Sequence, residues 1–96
     1  MSLPTLAEFA ALQGQVFELD AGLAEPLRAE LMTAQALAMA PHAGRQAFSL
    51  LFAGPAQPQL AQCTYRLAHP QLAALDIFLV PVGADAAATR YQAVFT

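Results

Sequence analysis

Few side chains in this sequence have the type and spacing that catalysis or metal binding needs. The candidates are two histidines, His42 and His69, and one thiol, Cys63. No HxxxH or CxxC pattern and no cluster of carboxylates accompanies them, as a metal site would need. A reactive thiol needs an electropositive setting or a paired histidine, and the expected strand direction carries His69 away from Cys63. We therefore expect loop histidines, a packed or half-exposed thiol, and no catalytic residue, metal or cofactor.

The charged residues of the predicted strands are expected to form surface ion pairs. In the natural register of a tight hairpin, Arg66 lies opposite Asp76, and such an exposed pair contributes about 0–1 kcal/mol. We also expect surface ion pairs from the charged residues of the first hairpin, Glu18, Glu30 and Arg28. Two carboxylates facing each other in a cleft would indicate acid–base chemistry, but the sequence indicates no cleft.

The glycine-containing breaks of the sequence predict turns. Gly54-Pro55 and Val82-Gly83 lack the GxxxxGK[ST] and GxGxxG patterns of phosphate-binding loops. Ser49 lies on the predicted outward face of a strand, and no GxSxG motif surrounds it. These absences favour a protein that is not an enzyme.

The strongest structural pattern lies in residues 64–95, which predict three β-strands in series. Apolar residues recur there at every second position, the period of a strand, at Tyr65, Leu67, Leu75, Ile77, Leu79, Tyr91, Ala93 and Phe95. Pro70 predicts that the first strand ends near Ala68, and residues 82–85 predict the next break. The short connections indicate antiparallel neighbours.

The middle strand of this block, residues 75–82, is apolar on both faces. One face carries Leu75, Ile77 and Leu79, and the other carries Phe78, Val80 and Val82. Such a strand is either covered on both sides or part of an oligomer contact. Pro81 lacks a backbone N–H, which predicts an edge or a strand terminus at that point.

The N-terminal half predicts one short helix and a first hairpin. Thr5 and Glu8 form a capping-box pattern before a helix over residues 6–12, in which Phe9 docks on the core and which Gly14 ends. Residues 15–20 alternate as a strand, and residues 21–23 predict a turn. Residues 26–38 leave two alternatives open, because their propensities favour a helix whereas Leu27, Ala29 and Leu31 alternate as in a strand.

The centre of the chain predicts a loop and a further strand. Residues 40–44 contain Pro41 and Gly44 and predict the loop. Residues 47–52 predict the strand, with Phe48, Leu50 and Phe52 on one face.

Length and composition limit the classes of protein to which this chain can belong. The chain has 96 residues, which predict one domain. It is 57% hydrophobic and 11% charged, so little of its surface can be charged and we expect a homo-oligomer. A net charge of −3, with four arginines and no lysine, argues against nucleic acid and anionic membranes as partners. A lone cysteine and the lack of a visible signal peptide or membrane span predict a cytoplasmic protein.

The order FSLLFAGP, CTYRLAHP, LDIFLVPVG and RYQAVF over residues 48–95 resembles a family of short, uncharacterised bacterial proteins. The resemblance extends over nearly the whole chain. It implies no established activity, a gene neighbourhood with phage-tail-collar-like proteins, and a strand over residues 27–37 that pairs with residues 15–20. The chain departs from the family pattern at Cys63, where a turn glycine is usual. It also carries alanine at positions 53, 73 and 74, where polar residues or glycine are common.

Together these patterns predict a mainly β protein. We expect a small antiparallel curved sheet or barrel of about six strands, with a short N-terminal helix that plugs one end or covers one face. The expected function is a non-enzymatic structural or protein-interaction module, an accessory of a phage-tail-like assembly. Its predicted contact residues are Phe78, Val80, Val82, Leu51 and Ala53.

The alternative function is a small-molecule-binding barrel. Its ligand would lie in a cavity of roughly 300 Å³ or more, and four aromatic residues are candidates to line it: Tyr65, Tyr91, Phe48 and Phe95. Aromatic residues at strand spacing are more often part of a packed core.

Overall fold

The computed structural model describes residues 4–38 and 46–95, which form a closed antiparallel barrel of six strands and one short helix. The predicted loop at residues 40–44, with His42, lies outside the described residues. The elements are α1 (Leu6–Ala10), β1 (Val16–Asp20), β2 (Leu27–Ala36), β3 (Phe48–Pro55), β4 (Cys63–His69), β5 (Leu72–Ala84) and β6 (Ala88–Phe95). Around the barrel the strands follow the order β1-β2-β3-β6-β5-β4. The predicted fold class is therefore confirmed.

The pairing of β1 with β4 closes the barrel. Leu19 lies opposite Leu67, and Asp20 lies opposite Arg66, in an antiparallel register. Because β1 and β4 are the two ends of the strand order, their pairing gives every strand a neighbour on each side for at least part of its length.

Helix α1 begins as the sequence predicts. The Thr5 hydroxyl accepts a hydrogen bond from the Glu8 N–H at 3.3 Å, and the Glu8 carboxylate accepts one from the Thr5 N–H at 3.2 Å. The helix ends at Ala10, earlier than the predicted residue 12, and single hydrogen-bonded turns carry the chain to Gly14. Gly14 has a φ of 87°, which favours glycine.

Phe9 fixes this helix over one end of the barrel. Its side chain is fully buried. Its ring lies 6.3 Å from the ring of Phe17, 5.8 Å from that of Phe48 and 5.6 Å from that of Phe95, measured between centroids. These three residues lie near the same end of β1, β3 and β6, so Phe9 closes that end as an aromatic plug.

The ambiguous segment 26–38 contains a strand, and the implication of the resemblance is confirmed. β2 pairs with β1 on one side and with β3 on the other. Its Leu27, Ala29 and Leu31 are buried in the barrel, while Arg28 and Glu30 point outward. The helix-favouring composition is overridden because a strand buries three apolar side chains and uses the backbone groups of two neighbouring strands.

Side chains from all six strands fill the interior. The buried apolar residues include Phe17, Leu19, Leu31, Leu50, Phe52, Leu67, Ile77, Leu79, Tyr91 and Ala93. Of the four aromatic residues predicted as core or cavity lining, Phe48 and Tyr91 are fully buried, and Tyr65 and Phe95 are half-buried against them. These aromatic residues belong to one packed cluster.

The loop after β3 covers the second end of the barrel. Leu60 is buried there, and its N–H donates a hydrogen bond of 2.8 Å to the hydroxyl of Tyr91. The Thr89 hydroxyl donates to the carbonyl of Ala56 at 3.3 Å. Hence the Tyr91 side chain, which lies inside the barrel, binds the loop through the backbone N–H of Leu60.

Two predicted turns are wrong. Gly54 and Pro55 are the last residues of β3, and Gly83 lies within β5. A Cβ atom at Gly54 would lie 3.3 Å from side-chain atoms of both Leu27 and Tyr91. Glycine therefore allows close packing inside a strand at this position and does not serve a reversal of the chain.

The prediction that Pro81 marks an edge is confirmed on the β4 side, where the pairing of β5 ends at Leu79 opposite Cys63, whereas the predicted strand end is wrong because β5 continues to Ala84. Pro81 lies opposite Tyr91 in β6, and the register shifts between Pro81 and Gly83. The shift places a β-bulge at Val82, and a bulge accommodates the missing N–H of proline within a long strand.

Candidate interaction surfaces

One outward side of the barrel carries apolar side chains on three neighbouring strands, with the exposed Gln92 among them, and we call it the apolar face. Phe78 and Val82 of β5 are each 52% exposed, and Val94 of β6 is 53% exposed. Val80 and Leu51 are half-buried on the same side, joined in register through Gln92. The apolar face thus contains the predicted contact residues Phe78, Val80, Val82 and Leu51. The fifth, Ala53, lies on β3 at its margin, half-buried and opposite Arg90.

The apolar face follows from the two-sided pattern of β5. Leu75, Ile77 and Leu79 alternate into the core, so Phe78 must point outward. In the described part of the chain no element packs over Phe78. Exposed apolar patches of this kind are typical of sites that contact other proteins.

Two ion pairs flank the apolar face and leave its surroundings without net charge. Arg66 and Asp76 are cross-strand partners, as the sequence predicts, with Nε 3.3 Å from Oδ1. Arg90 and Asp85 form the second pair, with Nη2 2.9 Å from Oδ2. Both pairs are well exposed, so each contributes little to stability.

Asp85 organises the turn between β5 and β6. Its Oδ1 accepts hydrogen bonds from the N–H groups of Ala87 at 2.8 Å and Ala88 at 3.0 Å. The Ala87 N–H, the Arg90 guanidinium and the Ala88 N–H hold the pKa of the Asp85 carboxyl below its usual value. The carboxylate therefore remains ionised and the turn keeps its shape.

A groove of about 640 Å³ adjoins the apolar face at Ala53, where the β1–β2 connection faces the end of β3. Its apolar lining comes from seven residues, Val16, Leu23, Pro26, Leu27, Ala53, Pro55 and Pro58. We call this the acidic groove because Glu25 and Glu30 also line it, with Arg28 as the cation. Val16 and Leu23 are 42% and 46% exposed, so apolar surface is available to a ligand.

The first hairpin does not form the predicted surface ion pairs. Glu18 and Arg28 are register partners. Yet among residues 4–38 and 46–95 no carboxylate lies within 4.0 Å of the Arg28 guanidinium. Hence Glu25 and Glu30 take part in no ion pair among the described residues. The charged side chains of β1, β2 and their connection are Glu18, Asp20, Glu25, Glu30 and Arg28, and Arg66 of β4 lies opposite Asp20, so carboxylates outnumber cations in this described part of the surface.

The structure does not bring the histidine and the thiol together. His69 and Cys63 lie at opposite ends of β4, about 20 Å apart at the rise of a strand. The His69 ring is held by Gln15 Oε1 at Nε2 (2.8 Å) and by the Gln71 N–H at Nδ1 (3.0 Å). It also packs 4.7 Å from the Phe17 ring. Through the contacts with Gln15 and Phe17, His69 links the end of β4 to the start of β1.

Cys63 is a free, exposed thiol at the start of β4. Tyr65, two residues later, donates its hydroxyl proton to the Ala61 carbonyl at 2.6 Å. Burial, followed by the nearby Cys63 and Tyr91, raises the pKa of Tyr65. The described residues contain no group of three or more histidine, cysteine or acidic side chains placed to hold a metal ion.

Sequence reasoning missed Val94 and the acidic groove. A signal for Val94 was present, because Ala93, Val94 and Phe95 are apolar in succession and a strand must then expose one of them. The groove had no such signal, since its lining combines residues from β1, the β1–β2 connection, β3 and the loop after β3.

No helix in the described part of the chain has the length and hydrophobicity needed to cross a membrane. A family model described as a domain of unknown function, DUF6916, matches residues 4–95. No curated protein and no solved structure matches the chain. The chain therefore belongs to the DUF6916 family.

Proposed function

We propose that this DUF6916 chain is a non-enzymatic structural module that associates with copies of itself through the apolar face. The observation that carries the proposal is the exposure of Phe78, Val82 and Val94 on neighbouring strands of one side of the barrel. Removing such side chains from water is favourable by roughly 25 cal/mol per Å² of apolar area. A second copy supplies a matching apolar surface.

The charge distribution supports a second copy as the occupant. Arg66 and Arg90 are neutralised by Asp76 and Asp85 beside the apolar face, so two such faces can meet without repulsion. A two-fold contact places the same patch on both partners. By contrast, the acidic surface around β1 and β2 would repel its own copy, which directs self-association to the apolar face.

The wider setting of this assembly is also a proposal. The resemblance to bacterial proteins encoded near phage-tail-collar-like proteins supports an accessory role in a phage-tail-like assembly. Self-association through a rigid barrel suits a repeated structural part. The exposed, unpaired thiol of Cys63 fits a reducing cytoplasm.

Small-molecule binding inside the barrel, the alternative function, stays a prediction with less support. Phe48, Phe52 and Tyr91 occupy interior positions and are fully buried. Their packing with the neighbouring apolar side chains favours a stabilising core as their role.

Light scattering during gel filtration tests self-association. We expect the full chain to form a dimer or larger species from low micromolar concentration upward, and Phe78→Ser and Val94→Ser to shift it to monomer. Val16→Ser is the matched control, because Val16 is also a half-exposed strand valine but lies outside the apolar face. Circular dichroism confirms that each variant is folded.

Two results would contradict the proposal. One is a monomer at every concentration up to several hundred micromolar. The other is an oligomer that Val16→Ser dissociates and that Val94→Ser leaves intact, which would move the contact to the other side of the barrel.

A further inference from the structure

Gln92 is an exposed polar residue in the middle of the apolar face. It lies on β6, with Leu51 of β3 opposite it on one side and Val80 of β5 opposite it on the other. Val94 is the next outward residue of the same strand. The amide of Gln92 therefore has apolar neighbours in three directions.

The amide of Gln92 has no hydrogen-bond partner in the described part of the chain. Its apolar neighbours carry no side-chain donor or acceptor. Arg90, the next outward residue of β6 toward the turn, is bound to Asp85 through Nη2. In the isolated chain water satisfies the amide, and a partner that covers the apolar face removes that water.

A covered amide needs a partner with both a donor and an acceptor, because an unsatisfied buried polar group weakens a contact. A glutamine amide has an accepting oxygen and two donating N–H groups. Two such amides are complementary to each other and can form a reciprocal pair of hydrogen bonds. In a two-fold contact a residue near the axis meets its own copy, so a second copy of this chain supplies the partner without any further polar group.

We infer that the Gln92 side chains of two copies pair with each other across a two-fold axis and fix the register of the contact. This inference rests on the proposed self-association and adds its geometry, since the axis then passes beside Gln92. Apolar side chains alone would allow several registers. In coiled coils, a single polar side chain in an apolar seam specifies register and the number of strands at a cost in stability.

Opposite charges at position 92 test the pairing directly. In Gln92→Glu and in Gln92→Lys two like charges would meet at the axis, so each variant alone should have a dissociation constant roughly a hundredfold above that of the wild type. An equimolar mixture of the two variants should associate to within about tenfold of the wild type, because opposite charges then meet. Gel filtration with light scattering over a dilution series measures the mass of each sample.

Gln13→Glu and Gln13→Lys are the matched controls. Gln13 is an exposed glutamine in the turn after helix α1, so these variants make the same changes of charge outside the apolar face. We expect both to associate like the wild type, alone and mixed. Circular dichroism confirms that every variant is folded.

Gln92→Leu tests the register separately. It removes the amide and keeps a side chain of similar length. We expect it to associate at least as tightly as the wild type, but as a mixture of sizes instead of one defined species. A single species of the wild-type mass would show that the amide does not fix the register.

Failure of this inference differs from failure of the proposed self-association. The pairing would be overturned, with the apolar contact left in place, by a wild-type oligomer that Phe78→Ser dissociates but whose Gln92→Glu and Gln92→Lys variants associate no better mixed than alone. A wild-type chain that stays monomeric would contradict both proposals.

Discussion

Replacing Tyr91 by phenylalanine tests the hydrogen bond that holds the loop after β3 over the barrel end. The Tyr91 side chain is fully buried, and its hydroxyl accepts the Leu60 N–H at 2.8 Å. Phenylalanine keeps the ring and its packing. The Leu60 N–H, however, loses its acceptor in a place where water has little access, because Leu60 is only 8% exposed.

The size of the effect follows from that burial. An unsatisfied buried donor costs about 1–3 kcal/mol, so we expect the free energy of unfolding of Tyr91→Phe to fall by that amount. For a chain of this length, each 1 kcal/mol lowers the melting temperature by roughly 4–8 °C. Urea denaturation followed by circular dichroism measures the change directly.

Tyr65→Phe is the matched control, because it removes the same atom from the other tyrosine of the chain. The Tyr65 hydroxyl donates to the Ala61 carbonyl in an exposed position. Water can replace that donor, so we expect a loss of about 0.5 kcal/mol, at the low end for a hydrogen bond. Hydrogen exchange adds a local readout, since the Leu60 amide should exchange faster in Tyr91→Phe than in Tyr65→Phe.

A Tyr91→Phe variant as stable as the wild type, with unchanged exchange at Leu60, would refute this account. It would mean that the loop is held by apolar packing of Leu60 alone. Equal losses in the two variants would contradict the argument from burial.

Other parts of the fold give further predictions. Gly54→Ala should cost about 1–3 kcal/mol in urea unfolding, because its Cβ would crowd Leu27 and Tyr91; stability equal to wild type would contradict the close-packing role. Phe9→Ala should lower the free energy of unfolding by about 3–5 kcal/mol, since it empties the aromatic plug. A smaller loss in urea unfolding would show that α1 contributes little to the packing of that barrel end. The folded-state pKa of Asp85 lies below its ordinary value of 3.8, so its ionised form stabilises the fold above that value and this contribution disappears as pH falls through the lowered pKa. The melting temperature of Asp85→Asn should therefore be lower than that of the wild type at pH 7, and the difference should shrink as the pH falls through the lowered pKa of Asp85; a constant difference would rule out the carboxylate as its source.

Features that depend on neighbouring residues were predictable from the sequence. The capping box of Thr5 and Glu8 needs only a spacing of three residues. The inward faces of β3 to β6 follow from an alternation with period two. The Arg66–Asp76 pair follows from a short hairpin, whose turn fixes the register. In each case the partners are close along the chain, so local geometry decides the contact.

Features that depend on distant residues required the tertiary structure. Residues 27–36 form a strand because β1 and β3 pair with them, and local propensity alone left helix and strand open. Gly54 resembles a turn glycine in sequence, yet Tyr91, far along the chain, determines its role.

The same distinction holds for the two candidate surfaces. The sequence by itself determined that β5 has two apolar sides, because alternation is a property of the strand. Only the closed barrel decided which side is covered, since Leu79 and Tyr91 are both buried inside it and Phe78 remains outside. The acidic groove exists only after folding, because Val16 of β1 and Pro58 of the loop after β3 line the same groove through an arrangement that no local pattern encodes.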